Sequence, residues 1–323
     1  MEGKWIISSS PHLRKGETTQ RIMLDVLLAL CPAVVASVVL FGMRALMLEV
    51  LCVVSCMAAE YISRRVMKRA DTISDLSAAV TGLLLAMNLP VSISPIIAMI
   101  GCVVAIVVVK QMFGGIGQNF LNPALTARVV LLVSFPAAMS HWVIPLYYRN
   151  GGIADATTTA TPITLLANGN PAEVPSLVQL FFGVRGGCIG ETCVLALLLG
   201  FAYLLWRRVI SPLIPLLYIG STALFTWMLG GDALYSILSG GLMLGAIFMA
   251  TDYTTSPVTQ WGKVIYALGC GILTVLIRMY SSLPEGVSYS ILLMNVITPH
   301  LEKLTRPRPF GAVKKQKKAG AEK

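Results

Sequence analysis

The residues best equipped for chemistry lie in two short stretches. One is Asp155-Ala156-Thr157-Thr158-Thr159-Ala160-Thr161-Pro162. It combines hydroxyls, small neighbours and one acid, and Pro162 blocks helix continuation. A hydroxyl in such a segment can be presented to a modifying enzyme. The same composition also suits a threonine-rich turn whose hydroxyls cap backbone groups. The other stretch is Gly114-Gly115-Ile116-Gly117-Gln118-Asn119-Phe120-Leu121-Asn122-Pro123-Ala124. Its glycines let the backbone approach another group closely. Asn122-Pro123 is a helix start, with Asn as cap and Pro at the first helical position, and it turns free N–H groups and a positive dipole end toward polar neighbours. A packed helix–loop–helix explains the pattern equally well. A nucleotide fingerprint does not, because this Gly-Gly-x-Gly follows an apolar helix, not a strand.

Other ionisable residues fall within or beside apolar runs: Asp25, Glu49, Glu60, Asp75, Glu191 and Asp252. A charge inside a bilayer is costly and marks a functional group or a structural pair. Lys110 and Arg128 flank the glycine loop and can compensate these acids. The 7 cysteines include no CxxC and no ferredoxin spacing, so no iron–sulfur or other metal site is expected. Most read as small buried hydrophobes. Cys188 and Cys193 are close enough in sequence to pair, which nothing in the sequence decides.

The elements that must hold these groups are membrane helices. Apolar residues make up 56% of the chain, charged residues 12%, and the mean hydropathy is +0.76. A soluble domain carries about 25% charged residues. Runs long enough for a bilayer core recur at 22–42, 45–62, 76–90, 95–112, 122–135, 190–206, 210–228, 234–250, 262–280 and 288–301. The fold class is therefore all-α, a polytopic integral membrane protein of about ten transmembrane helices. The fifth run is short, contains Arg128 and suits a helix that starts deep in the membrane against protein. Gly82-Leu83-Leu84-Leu85 and Gly241-Leu242-Met243-Leu244 hint at a repeat in the third span of each half. Five spans per half make the halves inverted.

With the N-terminus inside, only Arg44, Arg149, Arg185 and Arg278 of the 25 Lys and Arg fall outside. Both termini are then cytoplasmic. The segments are an N-terminal piece 1–21, a first membrane half 22–135, an extracytoplasmic loop 136–189, a second half 190–302 and a basic tail 303–323. The net charge of +10 reflects this asymmetry and implies membrane lipid, not nucleic acid, as its partner.

Several motifs together resemble one family. They are Ser10-Pro11-His12, Gln20-Arg21-Ile22-Met23-Leu24-Asp25-Val26-Leu27-Leu28-Ala29-Leu30, Thr81-Gly82-Leu83-Leu84-Leu85 with Leu89-Pro90, Val109-Lys110-Gln111-Met112-Phe113 running into the glycine loop, Asn122-Pro123-Ala124, and the threonine segment. Over about residues 10–305 the chain resembles the D subunits of Rnf electron-transport complexes and the related B subunits of sodium-pumping NADH:quinone reductases. The resemblance implies FMN joined through its phosphate to the last threonine of a Ser/Thr-Gly-Ala-Thr motif. The aligned residues are Thr158, Thr159, Ala160 and Thr161, which makes Thr161 the carrier, with Asp155 nearby and Thr159 replacing the usual glycine. It implies a second, non-covalent flavin, riboflavin, at a pocket lined by Gly114, Gly115, Gly117, Asn119 and Asn122. It also implies a flavin transferase for maturation, the A, B, C, E and G subunits as partners, and a bacterial cytoplasmic (inner) membrane location.

The leading expectation is thus a flavoprotein and phosphoester-bearing subunit of a translocase. It would relay electrons between ferredoxin and NAD, coupled to Na⁺ or H⁺ translocation. A secondary transporter without redox role fits the helices and buried acids but has no use for the threonine segment. The B subunit of the quinone reductase usually carries a longer N-terminal extension, whereas the first span here begins by residue 22.

Overall fold

The computed structural model of the chain describes residues 18–150, 158–159, 175–281 and 286–307. The protein is a helical, polytopic membrane protein. α1 (Thr19–Phe41), α2 (Met43–Val66) and α12 (Gln260–Tyr280) are long and apolar enough to cross a bilayer. Between them come α3 (Ser77–Met87), α4 (Pro95–Gln111), α5 (Pro123–Ser134), α6 (Pro136–Met139) and α7 (Leu177–Phe182). α8 (Val194–Trp206), α9 (Leu213–Met228), α10 (Ala233–Leu238) and α11 (Leu242–Leu244, continued by a π-helical turn Gly245–Met249) follow. α13 (Gly286–Thr305) closes the bundle.

Local sequence explains where these helices stop. Thr18 caps α1, accepting a hydrogen bond from the Arg21 N–H at 3.3 Å. A single residue, Gly42 at φ +76°, turns α1 into α2, a backbone shape that favours glycine. Asn122 caps α5 through hydrogen bonds from Ala124 and Leu125 N–H at 3.1 and 3.2 Å, and Pro123 takes the first helical position. The expected continuous span 234–250 is instead broken. α10 ends at Leu238, and Gly240 at φ +65° separates it from α11.

Polarity is inverted relative to a water-soluble fold. Val35, Val39, Met47, Val50 and Val54 on α1 and α2 face outward. Ser37, Glu49, Glu60, Lys110, Gln111 and Arg128 face inward. Apolar side chains meet lipid, and polar groups pair inside.

Contacts that no sequence match displays join the segments expected to be inverted halves, 22–135 and 190–302. The first helices of the halves, α1 and α8, pack together, as do the fifth helices, α5 and α13. Both pairs run antiparallel. Arg207, just past the end of α8, grips Asp25 near the start of α1 at 3.1 Å. On the other pair, Arg128 reaches Ser288 at 3.1 Å, and the Asn122 N–H faces the Asn295 side-chain amide. Within each half the second helix packs on the fourth, α2 on α4 and α9 on α12. Small residues permit the tightest approaches. A Cβ on Gly82 would lie 2.7 Å from the Cys52 carbonyl oxygen, and one on Gly200 would strike the Ala29 carbonyl.

The bundle has two ends that differ in charge. The N-terminal face is the end where α1 begins and α2 ends, and the far face is the opposite one.

Candidate functional site

A cavity of about 100 Å³ lies between the halves, toward the N-terminal face. α1, α3, α5, α8, α11 and the loop 112–122 surround it. Its walls mix apolar groups, such as Val26, Leu84 and Phe248, with amides and hydroxyls from Asn119, Asn122 and Thr81. A mostly apolar enclosure with a few convergent polar groups is the usual form of a cofactor site. Two further cavities of about 280 and 260 Å³ adjoin it, and Tyr253 and Thr254 line all three.

The glycine loop forms one side. Gly114, Gly115 and Gly117 have φ of +123°, +103° and +84°. Their first role is therefore to fold the backbone, since L side chains rarely adopt these angles. A Cβ on Gly115 would sit 2.5 Å from Arg64 Nη2, whereas one on Gly117 would meet nothing within 4 Å. Asn119 and Asn122 line the central cavity and Gly117 the flanking ones. Gly114 and Gly115 line none of these three. Asn122 also ties the halves, its side-chain N–H donating to the Met249 carbonyl at 3.3 Å.

A buried ion pair forms the cavity's polar end. Lys110 Nζ lies 3.0 Å from Glu60 Oε2, with exposures of 3% and 0%. Lys110 also donates to Ser77 Oγ at 2.6 Å. Gln111 and Thr72 donate to the other Glu60 oxygen at 2.8 and 2.9 Å. Ser77 in turn donates to Asp75 at 2.5 Å. The expectation that Lys110 compensates a nearby acid thus holds. α4 achieves this because its last turns, Val104–Gln111, are π-helical, which brings both Lys110 and Gln111 to Glu60. Asp252 also lines the cavity from the loop between α11 and α12. Burial raises its carboxyl above the ordinary range, while hydrogen bonds from Thr254 oppose the shift.

Arg128 lies where its place in the fifth span predicts, and its charge faces the buried acid Glu191. It lies inside the bundle, donating to Asn88 at 2.8 Å and to Cys188 Sγ at 3.3 Å. Glu191 accepts from the Cys188 N–H at 3.1 Å, and Arg185 donates to the Glu191 carbonyl at 2.7 Å. Arg185, counted as an outer loop charge, is likewise buried. The sequence signal for this cluster was an arginine inside a short span together with an acid at the edge of the next. Cys188 and Cys193 are both free thiols, like the other five cysteines. Glu49, the deepest acid by sequence, accepts from Ser37 at 2.7 Å.

The threonine segment falls mostly outside the described residues, including Asp155, Ala160 and Thr161. Thr158–Thr159 forms a two-residue strand, β2, antiparallel to β1 (Trp142–Val143), with Trp142 opposite Thr159 and Val143 opposite Thr158. Val143 is in the hydrophobic core, so this ladder ties residues 158–159 to the far side of the bundle.

Comparison with known proteins agrees with this architecture. The model of the NQR2, RnfD, RnfE family matches residues 6–311. The D subunit of the Na(+)-translocating ferredoxin:NAD(+) oxidoreductase complex of Acetobacterium woodii is 48% identical over 318 residues, covering 98% of each chain. The D subunit of the proton-translocating ferredoxin:NAD(+) oxidoreductase complex of Clostridium ljungdahlii is 42% identical, covering 94% of this chain and 96% of its own. The D subunit of the ion-translocating oxidoreductase complex of Stutzerimonas stutzeri is 38% identical, covering 91% and 92%. With a family match across nearly its whole length and end-to-end relatives of this identity, the chain belongs to the NQR2, RnfD, RnfE family.

Proposed function

We propose that this chain is the D-type membrane subunit of an ion-translocating ferredoxin:NAD⁺ oxidoreductase complex and relays electrons through FMN esterified to Thr161. The observation that carries this reading is the end-to-end similarity to subunits of that name, 48% identical in the first case, combined with the Thr158-Thr159-Ala160-Thr161 pattern. FMN, when bound, accepts one or two electrons, and a phosphoester leaves its ring free to do so. The chain's own contribution is placement. The β1–β2 ladder would hold residues 158–159 just ahead of the attachment point and keep the carrier near the far face. A tether of this kind maintains a high effective concentration. Partner subunits would pass electrons to and from this carrier, a flavin transferase would install it, and the flow would drive Na⁺ or H⁺ across a bacterial cytoplasmic membrane. In-gel fluorescence of the denatured subunit with intact mass is the direct test. A fluorescent band and a mass gain of one FMN less water are expected, and a dark band of unmodified mass would end the proposal.

The central cavity is too small for a flavin by itself, but together with the two that flank it, of about 280 and 260 Å³, it would suit a second, non-covalent flavin such as riboflavin. The apolar walls would enclose a planar ring, and Asn119, Asn122 and Thr81 would meet its polar edge. Gly117→Val forces a side chain into a backbone region that disfavours it, and Asn119→Leu removes a polar group from the wall. Both variants are expected to lower non-covalent flavin while leaving the covalent band intact. Full retention of extractable flavin in both folded variants would remove this site.

Topology follows the same reading. Arg64 and Arg65 at the end of α2, Arg207 and Arg208 after α8, and Lys263 in the first turn of α12 all gather at the N-terminal face. That face is therefore assigned to the cytoplasm. Reporter fusions at Gly151 and Lys323 are expected to report opposite sides of the membrane; the same side for both would refute the arrangement.

A further inference from the structure

A second polar cavity sits at the N-terminal face on the seam between the halves. It has a volume of about 120 Å³ and is lined by Arg21, Asp25, Arg207, Arg208 and Tyr253, among others. A single water needs only about 10–15 Å³ of such space, so the cavity holds several waters or one tetrahedral oxyanion. Among the described residues its charges do not cancel. Asp25 is occupied by Arg207, whose Nη2 lies at 3.1 Å and whose Nε lies at 3.2 Å, and by the Tyr203 hydroxyl at 3.0 Å. Arg21 and Arg208 have no acidic partner among the described residues.

The turn carrying Arg208 is held in place from several directions. Arg208 adopts φ +56°, its N–H bonds to the Leu205 carbonyl at 3.0 Å, and the Val209 N–H bonds to Leu204 at 3.0 Å. The Tyr253 hydroxyl donates to the Val209 carbonyl. The backbone that carries Arg208 is thus fixed, and Arg21 and Arg208 line the cavity where α1, the turn after α8 and the loop before α12 meet.

We propose that this cavity binds a phosphate group, and that a membrane lipid is what presents it. The surroundings favour a lipid over free phosphate. Trp206, which precedes the lining residue Arg207, is 78% exposed, as expected of an aromatic residue at headgroup level. Arg21, Leu24 and Leu28 share one face of α1, and both leucines are exposed. A headgroup at Arg21 would therefore lay an acyl chain along Leu24 and Leu28. An occupant would contact both halves, joining α1 to the α8–α9 turn beside the Asp25–Arg207 pair.

The test uses the purified full-length protein, delipidated in mild detergent and measured by native mass spectrometry. The probes are phosphatidylglycerol, diacylglycerol with the same chains, and inorganic phosphate. Wild type is expected to retain phosphatidylglycerol over diacylglycerol, and retention should fall about fivefold for each of Arg21→Gln and Arg208→Gln, in line with the usual contribution of a basic residue near an anionic headgroup. Lys314→Gln with Lys315→Gln, in the basic tail, should leave retention unchanged. Competition by millimolar inorganic phosphate would assign the site to free phosphate instead of lipid. Equal retention of phosphatidylglycerol and diacylglycerol by wild type, without phosphate binding, would overturn the proposal even if the arginine variants failed to fold. Unchanged retention in a folded variant carrying both arginine substitutions would overturn it as well.

Discussion

Thr161→Val is expected to abolish covalent flavin completely while leaving the membrane fold intact. Valine keeps the branched shape of threonine and lacks the hydroxyl that forms the ester. The fluorescent band should vanish, the intact mass should fall to that of the bare chain, and electron transfer through the assembled complex should drop to background. The neighbouring threonines provide an internal control that the fold makes unusually clean. Thr158 and Thr159 pair with Val143 and Trp142 across a short ladder, and valine is at home in a strand. Thr158→Val and Thr159→Val therefore remove hydroxyls without disturbing the backbone, and both should retain partial flavinylation. A peptide digest that places the flavin on Thr157, Thr158 or Thr159 would show the carrier to be misassigned. Normal electron transfer in a complex carrying Thr161→Val would exclude the relay role.

Much of the architecture is legible in the sequence, for specific reasons. α1, α2 and α12 announce themselves because lipid demands a long uninterrupted apolar run, and Asn122-Pro123 marks the start of α5 because capping is a local interaction. The glycine loop was recognisable, but its residues divide the work. Gly114, Gly115 and Gly117 shape the backbone, while Asn119 and Asn122 line the cavity. The expected inversion is barely visible in the sequence, since Gly82 and Gly241 serve different ends. Gly82 lets α3 approach Cys52, whereas a Cβ on Gly241 would lie 2.9 Å from Glu191. The contacts that join the expected halves, Asp25 with Arg207 and Arg128 with Ser288, link residues 182 and 160 positions apart. Pairings of that range leave no periodic trace in a single sequence. The break between α10 and α11 was missed because Ser239, Gly240 and Gly241 are common within membrane helices and only φ distinguishes a kink from a packing contact.

Lys110→Met is expected to be the most destabilising single change among the groups lining the central cavity. Glu60 is fully buried and accepts three hydrogen bonds, of which only the one from Lys110 brings a compensating charge. Removing that charge leaves a carboxylate inside the bundle with two neutral donors, Gln111 and Thr72. Breaking a buried pair from one side in this way costs about 3–5 kcal/mol. The pair as a whole is worth far less, because placing both ions in the interior already carries a large desolvation cost. Lys110→Met combined with Glu60→Gln should therefore recover most of the loss, since Gln111 and Thr72 can still donate to the new amide oxygen. Reversible unfolding in detergent, followed for wild type, both single variants and the double variant, measures the coupling directly. A loss below about 1 kcal/mol for Lys110→Met, or a double variant as unstable as the sum of the singles, would mean that the two residues do not stabilise each other as their 3.0 Å separation implies. The same double variant also separates folding from function. It keeps the bundle stable while removing the ammonium from the cavity wall. If the cavity needs that charge to hold a flavin, non-covalent flavin should fall in the stable double variant while the Thr161 ester remains.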